Sequence, residues 1–500
     1  MINVINTTKV IKNGIMTVKF EFEFDNSSSL PTKIYMIGHR TYVIAEGSTA
    51  KNLTTNNYYK YTDKDMWVKT VSPTKIKSNN EIVNNGNYSI TNNDLTGFTD
   101  VNVSVFEDAD VKFYDYDGTV VYAYTKEQFL KLNKFPENPK HDILIGQGWN
   151  WTFENAKSYV AKYGTVEIGQ MYTTKDGATK LFILANANET VKFSIAFNEQ
   201  SSIEVDWGDE TEADIYEGDS TTTTLQHTYT EDGNYVISVK VVGGTISIVN
   251  FLSLSMQLRR LHIGAGITYM SATTNPEANV SFEVLECVTI PNTITSFEKE
   301  TFGMCYILKC FVVPNSISVI PNTLLCNSFS LEHIILADTV TTIGDGAFCR
   351  TIIKTLIIPE SVTHMGDSIF EDCYMLTNII IPGTVEIMES YPFNNCSGLR
   401  SVIFGEGITE IPSECFANCC SLNSVVIPNT VTKIKDWSFY GCCSLITINI
   451  PNSVVEIEGE ETFNNQGSML CINIDNTENA ISGAPWGAYN SHCRVNWLRS

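Results

Sequence analysis

The sequence predicts a mainly β, multidomain chain that ends in a solenoid. Three observations carry this reading. First, an apolar run followed by Ile-Pro-Asn-Ser/Thr-Val returns through the second half. Its proline slot is filled by Pro291, Pro314, Ala337, Pro359, Pro382, Gly405, Pro428 and Pro451, at steps of 23, 23, 22, 23, 23, 23 and 23 residues. Second, other residue types keep the same step. Third, the upstream half alternates apolar and polar residues with period two and is punctuated by turn residues. A fixed period of this length marks a solenoid, in which no single coil can bury its apolar face alone.

Taken in order, residues 1–78 read as an N-terminal β-domain. Phe20, Phe22 and Phe24 alternate with Glu21 and Glu23, and further strands are expected near 33–45 and 58–71. Residues 79–106 form a short β-module. Asn85-Gly86 signals a turn, and Val101, Val103 and Val105 alternate. The segment resembles a short module of tail-associated proteins in phages of gut bacteria.

Residues 107–180 predict a small α+β module. Its Asp115-Tyr116-Asp117-Gly118-Thr119 resembles the first motif of haloacid-dehalogenase phosphatases, which would make Asp115 a nucleophile and Asp117 an acid/base beside Mg²⁺. The preferred reading is a hairpin turn, because strand residues Val121 to Tyr124 follow at once and no doubly wound α/β pattern does. Thr125 and Gln128 form a capping box. A helix is expected over 152–162, closed by Gly164, with Phe153, Ala156, Tyr159 and Val160 on one face. Trp149 and Trp151 at its entry are read as packing residues rather than sugar platforms. The order of these phrases resembles large phage and prophage proteins of gut Firmicutes.

Residues 181–250 resemble a polycystic-kidney-disease (PKD)-type β-sandwich, through Val205-Asp206-Trp207-Gly208-Asp209, His227-Thr228-Tyr229 and the alternating strand from Tyr235 to Val241. Glu210 departs from the glycine usual there. Asp206, Asp209 and His227 are read as turn-making and hydrogen-bonding residues.

Residues 251–475 are the repeats, with weaker copies at Gly264 and Asp475, and 476–500 a cap in which Trp486 and Trp497 cover the last coil. A large residue recurs at Phe302, Leu325, Phe348, Phe370, Phe393, Phe416, Phe439 and Phe463. Cys305, Cys373, Cys396, Cys419 and Cys442 stand three places on, and a leucine follows three places after that. These columns predict interior ladders. The short step predicts a deletion between Phe348 and Pro359, where the Cys and Leu columns break. Cys420 to Val431, Cys-Ser-Leu-Asn-Ser-Val-Val-Ile-Pro-Asn-Thr-Val, closely resembles BspA-type leucine-rich repeats. The resemblance implies a right-handed solenoid with one short strand per coil. It implies binding rather than chemistry, since such repeats occur in bacterial adhesins, protist surface proteins and phage proteins.

The net charge of −23 excludes a phosphate-reading surface and disfavours anionic lipid, so neither nucleic acid nor membrane insertion is expected. No apolar run approaches 18 residues, and the N-terminus has neither a basic nor an apolar signal region. All 14 cysteines lie at or beyond Cys287 and are read as buried thiols, one member of Cys419-Cys420 and of Cys442-Cys443 facing in. No catalytic residue, metal site or cofactor is expected.

In each coil strand, alternate residues point outward. That column contains Val312, Ile335, Ile357, Ile380, Ile403 and Val426, a β-branched ridge about 24 Å long. It is the candidate binding surface, for a partner, another protomer or another domain of this chain. With the module order, this predicts a phage virion protein, a tail fibre or receptor-binding protein. Its N-terminal region would meet other virion proteins, and its repeats a host surface protein or glycan, with homo-oligomers open. The alternatives are a bacterial cell-surface adhesin and a phage head fibre or decoration protein.

Overall fold

A computed structural model describes the strands between Ile2 and Thr70 as backbone. It also describes residues 109–500, except 251–253, 255–256, 272–281, 465–469, 478–479, 489–493 and 500. The module expected at 79–106 lies outside the described residues. The chain divides into two compact units, one of residues 1–113, 119–135 and 160–166, the other of 114–118, 136–159 and 167–500. The α+β module expected at 107–180 is shared between them.

In the first unit, β1 (Ile2–Lys12) pairs antiparallel with β2 (Ile15–Phe24). The single strand expected near 33–45 is a hairpin of β3 (Thr32–Ile37) and β4 (Arg40–Ala45). The strand expected near 58–71 is two. β6 (Asn57–Tyr61) stands between β5 (Thr49–Asn52) and β7 (Trp67–Thr70). β8 (Val111–Tyr114) lies beside β9 (Val120–Tyr124), and α1 (Lys126–Leu130) follows with the expected capping box on Thr125. Phe113 packs its ring on Tyr122, Tyr124, Phe129 and Phe135.

The second unit holds β10 (Leu144–Trp149), which leads into α2 (Phe153–Tyr163), a helix whose last turn is counted with the first unit. β11 (Val166–Thr174) then returns antiparallel to β10. Gly164 closes α2 with φ +92° and its N–H on the Val160 carbonyl, 2.9 Å away.

Next come β12 (Thr179–Ala185), β13 (Thr190–Phe197), β14 (Ser201–Asp206), β15 (Asp214–Gly218), β16 (Thr222–Thr228), β17 (Gly233–Gly243) and β18 (Ile246–Asn250). They form two facing sheets. Inward residues such as Leu181, Ile183, Phe193, Val205, Ile237 and Val239 are buried at every second position. Asp206 and Asp209 accept hydrogen bonds from the turn N–H groups of Gly208 and Thr211, and His227 Nε2 lies 2.7 Å from Asp209 Oδ2. Burial opposes it, but bonds from Thr211 and His227 hold the Asp209 carboxyl below its usual range. Glu210 takes the glycine conformation, φ +66°.

The sandwich does not end where the repeats begin. β19 (Leu258–His262) pairs antiparallel with β12, Lys180 opposite His262, and β20 (Ile267–Met270) pairs parallel with β18. Both sheets of the solenoid therefore continue sheets of the sandwich, and one hydrophobic core runs from Leu181 to Ala488. The boundary expected at 250/251 is crossed by two strand ladders.

Each coil then repeats one plan. A first strand, such as Ser401–Phe404, stacks parallel and in register on the next, Val402 beside Val425. The Pro-Asn-Ser/Thr-Val phrase is a β-turn: the Val431 N–H donates to the Pro428 carbonyl at 3.2 Å, as Val454 does to Pro451 and Val362 to Pro359. A two-residue second strand follows, such as Lys433–Ile434. The phenylalanines stack through the core; Phe370 and Phe393 lie 5.2 Å apart at 6°. Positions two before and two after the column phenylalanines from Phe302 to Phe439 are left-handed, for example Ser368 (φ 54°), Asp372 (59°), Glu414 (50°), Asn418 (61°) and Gly441 (70°).

The deletion lies where expected, but the columns survive it. Thr351 holds the cysteine position and donates to the Phe348 carbonyl at 3.0 Å, and Ile353 is buried in place of leucine. The cost falls on the first strand, which this coil keeps only as a bridge from Ile357 to Ile380. The cysteine column is buried, Cys419 inward and Cys420 exposed, Cys442 inward and Cys443 half-exposed. One expectation is corrected. Cys326 and Cys349, one coil apart and outside that column, are joined as a disulfide, their Cα atoms 4.8 Å apart. Stacked coils bring same-phase side chains to about that spacing. Trp486 is buried over the last coil, its ring against Phe463, and Trp497 packs on the same core.

Candidate binding face

The outward column is not uniformly free. His262 and Thr289, at its start, are buried and bonded to each other, His262 Nδ1 to Thr289 Oγ1 at 3.1 Å. Val312 is 8% exposed and Ile335 1%. Ile357 and Ile380 are half-buried. Ile403 is 45% exposed and Val426 52%.

The cover over the early coils is this chain's own β10, β11 and the start of α2. Gly169 lies so close that a Cβ there would meet Val312 Cγ1 at 2.4 Å. Asn150 Nδ2 donates to the carbonyls of Val313 and Ile335, at 3.0 and 3.1 Å, while its Oδ1 accepts the Gly169 N–H. Trp151 Nε1 donates to the Leu336 carbonyl at 2.9 Å, and the Tyr159 hydroxyl to the Ile358 carbonyl at 3.0 Å. Asp338 Oδ2 receives the Thr152 N–H, the Thr152 hydroxyl and the Asn155 amide, so a residue of the fourth coil caps α2. Val312 and Ile335 are thus excluded as sites for an outside partner. Their partner is this segment, held as a clasp. Trp149 is buried with its Nε1 on the Pro136 carbonyl, so both tryptophans of the phrase pack.

The Asp115–Gly118 segment is the hairpin turn, closed by the Gly118 N–H on the Asp115 carbonyl at 3.1 Å. Asp115 is buried and its Oδ2 lies 3.0 Å from His141 Nε2, an interaction that raises the imidazole's pKa against burial. Among the described residues, the strands around it form no doubly wound α/β domain of the phosphatase kind. Asp117 instead lines a cleft of about 330 Å³ with Tyr116, Arg260, Glu286, Cys287, Ile307 and Lys309. Arg260 pairs with Glu286 at 3.3 Å, and burial pushes the Cys287 thiol up to about 12. Among the described residues, no three His, Cys, Asp or Glu side chains gather as metal ligands, and no helix is long and apolar enough to cross a membrane.

A second exposed feature escaped the sequence reading. The residue after each cysteine position points outward, giving Tyr306, Phe329 and Tyr374, with Met375 beside them. Tyr306 and Phe329 stack at 5.7 Å and 6°. The signal was present, at the same period as the interior columns, but its aromatics occupy only the early coils.

The comparisons bear on the repeats. One family, BspA type Leucine rich repeat region, matches residues 278–377 and 363–485, in six copies. Among solved structures, a leucine-rich repeat protein from Bacteroides ovatus is 25% identical over 48% of this chain and 66% of that one, with a TM-score of 0.41. A leucine rich cell surface protein from Faecalibacterium prausnitzii is 18% identical over 51% and 91%, with a TM-score of 0.28. The leucine-rich repeat protein of T. pallidum is 20% identical over 41% and 86%, with a TM-score of 0.30. At such TM-scores these likenesses carry no functional argument. No curated protein matches the chain. Residues 278–485 are thus similar to the BspA type Leucine rich repeat region, a likeness that their ladder columns, in-register coils and recurrent Pro-Asn turns fit.

Proposed function

We propose that the protein is a non-catalytic binding protein of the cell-surface adhesin kind, which meets its target through the open coils of the repeat region. The observation that carries this is the change along one column: Ile335 is 1% exposed, whereas Ile403 and Val426, at the same phase, are 45% and 52% exposed. Adjacent β-branched side chains left in water on a rigid sheet are the kind of apolar surface that marks interfaces. The family match of the repeats fits the adhesin reading better than the virion reading, for which no comparison gives support. A tail-fibre, head-fibre or decoration role rests on the order of the upstream segments alone.

Location and adhesion test the proposal together. Antibody against the chain should label washed source cells and leave purified virions unlabelled. Beads coated with the full chain should bind target cells, and Ile403→Lys with Val426→Lys should remove most of that binding. Stoichiometric presence on virions, with bare cells, would replace the adhesin reading by the phage one.

A further inference from the structure

We infer that the open coils take a polypeptide partner, read as the chain's own clasp is read by the coils before them: side-chain N–H or O–H donors on strand carbonyls, those of Leu336 and Ile358 freed by proline, with a small residue over the β-branched column. This deepens the binding reading and rests on it for the choice of face.

The argument begins with the slot residue. Where the slot holds glycine, its N–H continues the ladder; Gly405 donates to the Ile381 carbonyl of the preceding coil at 2.8 Å. Proline has no N–H to donate. Pro359 therefore leaves the Leu336 carbonyl without its ladder partner, and Pro382 leaves that of Ile358. Pro428 and Pro451 do the same to Phe404 and Ile427. A backbone acceptor without its ladder partner must bond water or an incoming donor, so on an open face it is a point of recognition and under a cover it requires a donor from the cover. At Leu336 and Ile358 the deficit is filled from outside the ladder, by Trp151 Nε1 and the Tyr159 hydroxyl. Gly169 lets the covering backbone reach Val312. Phe404 and Ile427 repeat that chemistry beside Ile403 and Val426, and the open face is continuous with the occupied one.

The occupant is a protein segment for two reasons. The open column is aliphatic, whereas a flat sugar face stacks on aromatic rings. The clasp of a second copy is not available for this, because its own Asn150 and Trp151 are buried, 0% and 3% exposed, against its own coils.

The test titrates a fluorescent peptide with the sequence of residues 146–159 against the full chain, read by anisotropy. Saturable binding is expected. Val426→Lys should weaken it about tenfold, and Pro428→Ala, which restores an N–H for the Phe404 carbonyl, should weaken it about fivefold. Glu410→Lys, on the second strand of its coil, should leave it unchanged. Lack of saturation up to roughly 1 mM, or unchanged affinity in Pro428→Ala, would overturn the inference. So would loss of binding in Asp338→Ala with none in Val426→Lys, which would place the peptide under the clasp. Sedimentation of the unliganded chain decides the remaining case: a dimer dissolved by Val426→Lys would mean that a second copy fills the face. Cell adhesion that persists while the peptide fails would leave the adhesin reading standing and remove this one.

Discussion

Cys373, Cys396, Cys419 and Cys442 each donate their thiol proton to the backbone carbonyl of the phenylalanine one coil earlier, at 3.0 to 3.2 Å. Ser328 does the same to Phe302 at 3.1 Å, so the column selects a small donor, of which sulfur is the apolar form. Cys419→Ala should therefore lower stability by about 1 kcal/mol in denaturant unfolding, and Cys419→Ser by less, because alanine removes one of the two hydrogen bonds on the Phe393 carbonyl and leaves it the Cys396 N–H. Burial raises the Cys396, Cys415 and Cys419 thiols well above their usual range, so in the native chain a thiol reagent should label Cys420 and spare these. His262 gives a second residue-scale prediction. It is buried against Tyr116, Phe182 and Thr289, near Arg260 and His141, and burial first, then those two charges, lowers its pKa to about 4. Unfolded, it titrates near about 6.5. The unfolded chain thus takes up the proton first as pH falls. Its contribution is complete above about 6.5 and is lost as pH drops through about 4, up to about 3 kcal/mol in all. His141 has the opposite sign, because Asp115 raises it; its contribution is present at low pH and fades as pH rises through its folded value. His262→Gln should flatten the acid limb of a melting-temperature profile between pH 6.5 and 4; an unchanged limb would assign it to the carboxylates.

At the scale of one coil, two left-handed positions flank each column phenylalanine from Phe302 to Phe439, and most are not glycine. A residue with a Cβ pays roughly 1–2 kcal/mol there, which asparagine partly escapes. Asn418 Nδ2 also donates to Asn395 Oδ1 at 3.0 Å, which makes the position after Phe393 and Phe416 a polar ladder. Ser368→Gly should raise the unfolding midpoint by the equivalent of about 0.5–1 kcal/mol, once glycine's looser unfolded chain is counted, and Asn395→Ala should lower stability by about 2 kcal/mol. If Ser368→Gly is neutral or worse, the left-handed backbone is not what the coil works against. This also explains which parts of the coil were legible from sequence. Phenylalanine, cysteine and leucine columns are periodic and need only counting. The slot proline was equally visible, but its consequence was not, because a missing N–H matters only once the neighbouring coil's carbonyl is known to face it. The clasp was hidden for a related reason. Asn150 and Tyr159 meet carbonyls 163 and 199 residues away, and no local pattern encodes such a pairing. The ridge could be found from its β-branched spacing, but not which half of it was already occupied.

At the scale of the molecule, the repeats have to end somewhere, and an open coil presents a row of unpaired N–H and C=O groups above an apolar interior. At the far end Trp486 covers that interior, its Nε1 on the Ser482 carbonyl at 2.8 Å. At the near end the sandwich strands take the place of a cap. β12 takes one sheet edge, with Leu181 opposite Leu261, and β18 takes the other, with Ile246 opposite Ile267. The sandwich is therefore the first layer of the solenoid rather than a spacer strung before it, and Trp207, Tyr229 and Phe302 belong to one core. Two consequences separate this arrangement from beads on a string. Residues 177–500 should unfold in one transition by fluorescence and circular dichroism, because no interface exists along which the sandwich could melt alone. A chain starting at residue 257 keeps every repeat but loses β12 and β18, which bares the outer edges of β19 and β20 together with Leu261 and Ile267. Such a chain should associate through those edges and scatter light as oligomers or aggregates, while the full chain, which keeps both β12 and β18 and the clasp over Val312 and Ile335, stays monodisperse. A monodisperse, cooperatively folded chain from residue 257 would show that the repeats close themselves and that the shared ladders contribute little.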